Sequence, residues 1–346
     1  MKTEGGKAAA PASASKEKRP CSASVCVLRV NAGGAPSDYT SMHLSSCMRL
    51  AACGRSDGAI SLCRLSRDRI LDGRFHAEAG PASQPASVHS LIGHSGPVYS
   101  CTTSRDSRFV LSGGQDGVPR LWATRHAQEL VAYRTHAHPI FHLSFSPHNA
   151  HFLTSCYDGG VRLFTTERRA PLRVLAGHQS EVNFATFHPN GAYAISCSAD
   201  HTMRLWDISS PACIRLFYGH KGPVNCAAVS NDGSAAASAS EDGTLKLWHL
   251  GTAKCWVTAP LPDDCGTPHS LCFSASGRVL ACAGENSVCI WDLRELQARS
   301  KPDTPPVPPA LHCPAGVPLM SAAFMPSHQV LLAAGIDPGN TAMELS

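Results

Sequence analysis

Four times along the chain a histidine, a serine or threonine, and an aspartate recur with one spacing. The sets are His94, Ser112 and Asp116; His136, Thr154 and Asp158; His178, Ser196 and Asp200; and His220, Ser238 and Asp242. These residue types could supply a nucleophile, a general base and a carboxylate that orients the base. A catalytic set is needed once, in a cleft open to substrate, yet here the set returns at steps of 42 residues. Recurrence argues for a polar network repeated inside several packed units, because buried polar groups must find partners. No catalytic residue is assigned on this reading, and no cofactor.

The elements that must position these sets follow from the same period. Six residues after each aspartate stands an aromatic residue: Trp122, Phe164, Trp206 or Trp248. Within one unit, Val224 to Ser230 alternates as a strand, Asn231-Asp232-Gly233 turns, and Ala235 to Ser240 forms a second strand. Glu241-Asp242-Gly243 turns again, Thr244 to Trp248 is a third strand and Cys255-Trp256-Val257 an outer fourth. Asp-Gly chemistry at the turns is what tight hairpins require. Units of this kind resemble WD40 repeats, which build β-propeller blades. The fold class expected is all-β, a WD40 propeller of seven blades closed by an N-terminal strand. In such repeats the histidine, hydroxyl, aspartate and tryptophan share hydrogen bonds. Phe164 lacks the indole N–H, so its network should be weaker by about 1 kcal/mol.

The pattern frays outside the four regular units. A first blade reads from Ser41 to Leu65, with Asp57 six residues before Cys63 in the aromatic position. A sixth runs from Ser270 to Leu293, where Asp264 replaces the histidine and Glu285 the turn aspartate. A last unit, Val317 to Gly335, supplies two strands. Val25 to Val30 reads as a strand without a hairpin partner, expected to complete that last blade and close the ring. Residues 21–336 form the propeller on this reading, with surface inserts at 67–90 and 299–314. The second insert holds Pro305-Pro306-Val307-Pro308-Pro309, read as a stiff spacer. Residues 1–20 read as a disordered tail and 337–346 as a C-terminal tail.

Composition narrows the function classes. Hydrophobic residues make up 43% of the chain, enough for a sizeable core. No run approaches the roughly 18 to 20 apolar residues that span a bilayer, and the polar start has no signal-peptide core. The 16 cysteines contain no C-x-x-C pair, so zinc is not expected and thiols are. Walker, dinucleotide and H-E-x-x-H motifs are absent from the sequence. A net charge of +4 is too small to imply direct nucleic-acid binding. Neither a membrane nor a small-molecule substrate is implied.

Protein partners are, because propellers work through ring ends where loops converge. Residues just after each blade's first Val or Ile, namely Tyr99, Phe141, Asn183 and Asn225, should share one rim with those just before the turn aspartate. These last are Gln115, Tyr157, Ala199 and Glu241. Tyr99, Phe141 and Tyr157 are the favoured anchors, as amphipathic aromatics are typical of interfaces.

Three stretches carry a narrower resemblance. They are Leu91-Ile92-Gly93-His94-Ser95-Gly96-Pro97-Val98-Tyr99-Ser100, Pro171-Leu172-Arg173-Val174-Leu175-Ala176-Gly177-His178 and Phe187-His188-Pro189-Asn190. Together they resemble the WD-repeat TBP-associated factor family, subunits of TFIID and of SAGA-type histone acetyltransferase complexes. The ending, Ser321 to Met325 and Leu331 to Gly335, is most similar to its "5-like" branch, PCAF-associated factor 65 beta. Members carry a LisH motif and a helical domain ahead of the propeller, which the polar stretch 1–20 does not resemble. The resemblance implies a nuclear, non-enzymatic scaffold that holds histone-fold TBP-associated factors and other coactivator subunits for transcription by RNA polymerase II. The alternative is a WD40 adaptor outside transcription, such as a ubiquitin-ligase substrate receptor or a signalling scaffold.

Overall fold

Short strands of three to seven residues follow one another through nearly the whole computed structural model, which describes residues 24–29, 39–47, 49–64, 88–298, 308–314, 319–324 and 330–335. The expected tails at 1–20 and 337–346 and most of both inserts lie outside the described residues. Six sheets have four strands and a seventh has three. Blade 1 is Tyr39–Leu44, Leu50–Arg55, Ala59–Arg64 and Val88–Ile92; blade 2 is Ser100–Thr103, Phe109–Gly113, Arg120–Ala123 and Gln128–Ala132. Blade 3 is Ile140–Phe145, His151–Cys156, Val161–Thr165 and Arg173–Leu175; blade 4 is Val182–Phe187, Tyr193–Ser198, Met203–Asp207 and Cys213–Phe217. Blade 5 is Val224–Val229, Ala235–Ser240, Thr244–His249 and Lys254–Pro260; blade 6 is Pro268–Phe273, Val279–Gly284, Ser287–Asp292 and Leu311–Pro314.

Leu319–Phe324 and Val330–Gly335 pair antiparallel in blade 7, and Ser24–Arg29 joins Val330–Gly335 in parallel, from Ser24 opposite Val330 to Arg29 opposite Gly335. The first strand of every blade packs against that of the next, and blade 7 against blade 1, so the ring is closed. This is an all-β propeller.

In blades 1 to 6 the second strand is buried on both faces, because neighbouring blades cover both, and its residues are mostly small or apolar. Leu50–Arg55, Ala235–Ser240 and Val279–Gly284 are almost wholly buried. The core therefore lies between blades. Turns after the second strands need a left-handed residue, supplied by Gly117, Gly159 and Gly243 at φ of 66°, 76° and 73°. In blade 4 that place is held by His201 at φ 67°.

Two boundaries differ from the sequence reading. The insert after blade 1 ends before Ser90, because Val88–Ile92 pairs with Ala59–Arg64 as the outer strand. The insert at 299–314 likewise ends in a strand, as Leu311–Pro314 pairs with Ser287–Asp292. A six-residue helix, Leu293–Ala298, precedes it and buries Leu293 and Leu296 against Trp291 and Leu280.

Candidate interaction rim and the buried polar sets

In blades 2, 4 and 5 the polar sets form closed chains of hydrogen bonds. The Trp206 indole donates to the Ser196 hydroxyl at 2.8 Å, which faces His178 Nε2 at 2.7 Å, while His178 Nδ1 meets Asp200 at 2.8 Å. Blade 5 repeats this through Trp248, Ser238, His220 and Asp242 at 2.8, 2.8 and 3.0 Å. Blade 2 does so through Trp122, Ser112, His94 and Asp116 at 2.8, 2.7 and 2.9 Å. A neutral imidazole with its proton on Nδ1 satisfies every atom: indole N–H to hydroxyl, hydroxyl to Nε2, Nδ1–H to carboxylate. Burial lowers the His178 and His220 pKa values, which fits the neutral form. Burial pushes Asp200 up, but bonds from the Thr202 hydroxyl, the Gln179 N–H and His178 outweigh it and leave its pKa at about 2. Ser112, Ser196 and Ser238 are 0% exposed, and the indole occupies the remaining approach to the oxygen. No substrate can reach these hydroxyls without the blade opening.

Blade 3 departs from the expected network. His136 Nε2 meets Thr154 Oγ1 at 3.1 Å, but Asp158 does not bond His136, whose Nδ1 has no partner among the described residues. Arg162 takes both Asp158 oxygens instead, at 2.6 and 3.2 Å. A bidentate guanidinium out-competes a single neutral N–H. The equivalent arginines are drawn to other partners: Arg120 lies closest to Glu129, at 2.6 Å against 3.7 Å for Asp116, and Arg204 lies over the Trp206 ring at 5.8 Å. Phe164 offers no indole, and it packs instead in an aromatic cluster with Phe152, stacked at 4.9 Å, and Tyr133, edge-on at 5.5 Å. Burial drops the His136 pKa to about 3.

The rim is built by β-bulges. In blades 1, 3, 4, 5, 6 and 7 the register slips just after the first residue of the first strand, between Tyr39 and Ser41, Ile140 and His142, Val182 and Phe184, Val224 and Cys226, Pro268 and Ser270, and Leu319 and Ser321. The extra residue leaves the ladder: Thr40, Phe141, Asn183, Asn225, His269 and Met320, all of which line the central channel. That channel has a volume of about 1060 Å³ and is walled by the first strands of all seven blades. Tyr99 and Phe141 lie 6.1 Å apart, Phe141 and Tyr157 6.1 Å, and His138 and Tyr157 6.1 Å. These rings make one strip across blades 2 and 3, with Tyr157 54% exposed. On blades 4 and 5, Asn183 donates to Asn225 at 3.2 Å and Asn225 to Glu241 at 3.1 Å. Gln115 stands apart from the channel lining, exposed beside Gly96.

Sequence reasoning missed several participants. Thr202 and Thr244 each donate to the turn aspartate at 2.6 Å; a hydroxyl two residues after the aspartate was the available signal. Glu181 and Glu285 also line the channel. In blade 6, Cys282 sits across from Cys289 as Ser196 does from Arg204, so a thiol takes the hydroxyl's place and Trp291 Nε1 has no partner among the described residues. Cys265 fills the loop beside them, close against Gly284. The cysteines whose side chains are described are all free thiols. Among the described residues no His, Cys, Asp or Glu group could hold a metal ion.

The family described as WD domain, G-beta repeat, matches residues 85–123, 128–165, 169–207, 211–249 and 263–292, over half of the chain. The chain belongs to the WD40-repeat family. Among curated proteins this WD40 chain is similar to transcription initiation factor TFIID subunit 5 of Arabidopsis thaliana, 37% identical over 92 residues, which is 25% of this chain and 14% of that protein. The protein of the same name from Encephalitozoon cuniculi is 30% identical over 108 residues, 28% of this chain and 19% of that one. The SAGA complex/transcription factor TFIID complex subunit Taf5 of Schizosaccharomyces pombe is 35% identical over 104 residues, 28% of this chain and 16% of that one. The matched stretches thus span under a fifth of those relatives, and they agree with the resemblance to WD-repeat TBP-associated factors.

Proposed function

We propose that this propeller is a non-enzymatic scaffold subunit of a nuclear transcription complex, of the SAGA/PCAF histone acetyltransferase type or TFIID. In this reading it holds histone-fold subunits for transcription by RNA polymerase II. The observation that carries it is the rim: a strip of partly exposed aromatic rings beside a hydrogen-bonded amide and carboxylate string, on a molecule whose catalytic-looking sets are sealed. Similarity to the named TFIID and SAGA subunits points to the complex. Aromatic anchors ringed by polar groups are what protein interfaces use. Tyr99, Phe141, Tyr157, Asn183, Asn225 and Glu241 line the partner-contacting face, with Gln115 at its edge.

The test is affinity purification of the chain from nuclear extract, with mass spectrometry, for wild type and Tyr157→Ala. Histone-fold and acetyltransferase subunits captured by wild type and depleted at least about tenfold with the variant are the expected result. A capture dominated by cullin-type subunits, or one unchanged by the substitution, would sink the proposal.

A further inference from the structure

The mouth of the channel is chemically divided. One arc, on blades 2 and 3, carries the rings of Tyr99 and Phe141, which line the channel, with the exposed Tyr157 ring edge-on to Phe141 just outside that lining. The opposite arc, on blades 4 to 6, carries Glu181, Glu241 and Glu285, all of which line the channel. None of these three carboxylates is in an ion pair among the described residues, whereas Asp57, Asp106, Asp116, Glu129, Asp158 and Asp264 all are. Arg105 is the only lysine or arginine among the described lining residues, and it follows Ser104 past the far end of its strand. A chain whose net charge is +4 thus presents a local negative arc. Glu181 accepts the Ser180 hydroxyl at 2.5 Å, a bond that lowers its pKa and keeps it ionised.

We propose that this mouth receives a basic segment of a protein partner, with a lysine or arginine side chain entering the channel between the aromatic and the carboxylate arcs. This rests on the reading of the rim as the partner-contacting face. Ring faces attract a cation while the carboxylates supply the opposite charge, and the enclosing walls reduce the screening that weakens exposed pairs. The same arcs disfavour an acidic segment, because three unpaired carboxylates would face it.

The binding experiment uses the full chain and a fluorescein-labelled peptide of repeating Leu-Lys-Ser-Arg units, read by anisotropy. The expected result is saturable binding weakened about tenfold by Glu181→Gln with Glu241→Gln, weakened likewise by Tyr157→Ala, and unaffected by Glu167→Gln on the blade 3 surface. Lysine acetylation of the peptide should weaken it too. Absence of saturable binding, or binding indifferent to the paired glutamine substitutions, overturns the proposal. Circular dichroism melts establish that each variant is folded. The nuclear-extract capture separates the two readings: if Tyr157→Ala loses the complex while the glutamine pair retains it, the rim binds partners but not through a cation.

Discussion

The Ser196 hydroxyl accepts one proton and donates another inside a site that water does not reach, so its removal strands two groups at once. Ser196→Ala leaves the Trp206 N–H and His178 Nε2 unpaired, at a cost of about 1–3 kcal/mol each before relaxation. Urea unfolding should show a loss of about 2 kcal/mol or more; a loss under 0.5 kcal/mol would mean the network does not stabilise the blade. His136 makes a cheaper contrast, since it keeps only the Thr154 contact. The residue types and spacing of the sets were legible in the sequence because each residue's role repeats. The choice Asp158 makes was not. It depends on what else Arg162 can reach, and that is fixed by Phe164 in place of an indole and by an outer strand of Arg173, Val174 and Leu175, where that of blade 2 brings Glu129 to Arg120. Pairwise spacing does not encode such a competition.

At the scale of elements, blade 6 shows how far a repeat can drift while keeping its sheet. Val279–Gly284 and Ser287–Asp292 pair in the usual register, but thiols occupy the polar positions and the Trp291 indole is orphaned. Cys282→Ser puts an oxygen acceptor where Ser196 and Ser238 stand in their blades, so the variant should melt higher by about 0.5–1.5 kcal/mol in stability. A lower melting temperature would show that thiol packing matters more than the indole bond. Gly284 is constrained for another reason: a Cβ there would fall 2.3 Å from both the Cys265 carbonyl oxygen and its sulfur. Gly284→Ala should therefore destabilise blade 6 measurably in thermal melts, and an unchanged midpoint would contradict that close approach. In blades 1, 2, 3 and 5 the second and third strands were legible because Asp-Gly turns separate alternating or apolar runs. The fourth strand of blade 6 was hidden, because Leu311-His312-Cys313-Pro314 is short and follows a proline run. An edge position tolerates its terminal proline, something visible only once the sheet exists.

For the whole molecule, closure is the feature on which the rim depends, since rings and carboxylates from different blades converge only in a complete circle. The ring also encloses titratable groups that its repeats do not require. His43 and His142 line the channel, where burial lowers both pKa values to about 4; His142 is also stacked on Phe184 at 4.0 Å and bonded to the Ala185 carbonyl. With His136 at about 3, at least three histidines are neutral in the fold but take up protons near pH 6.5 once unfolded. The unfolded chain binds more protons below that point, so stability is fully present above pH 6.5 and falls as pH drops toward 4. A second loss follows between about pH 3.8 and 2, where Asp158, Asp200 and Asp242, each held at about 2, would have to be protonated. Unfolding free energy measured at pH 7.5, 6, 5 and 4 should therefore be flat at first and then decline. His136→Gln should decline less steeply than wild type over that lower range, because one proton of the linkage is gone. Parallel curves for the two proteins would mean that His136 titrates alike in the folded and unfolded states, and that the blade 3 pocket does not exclude the charged ring.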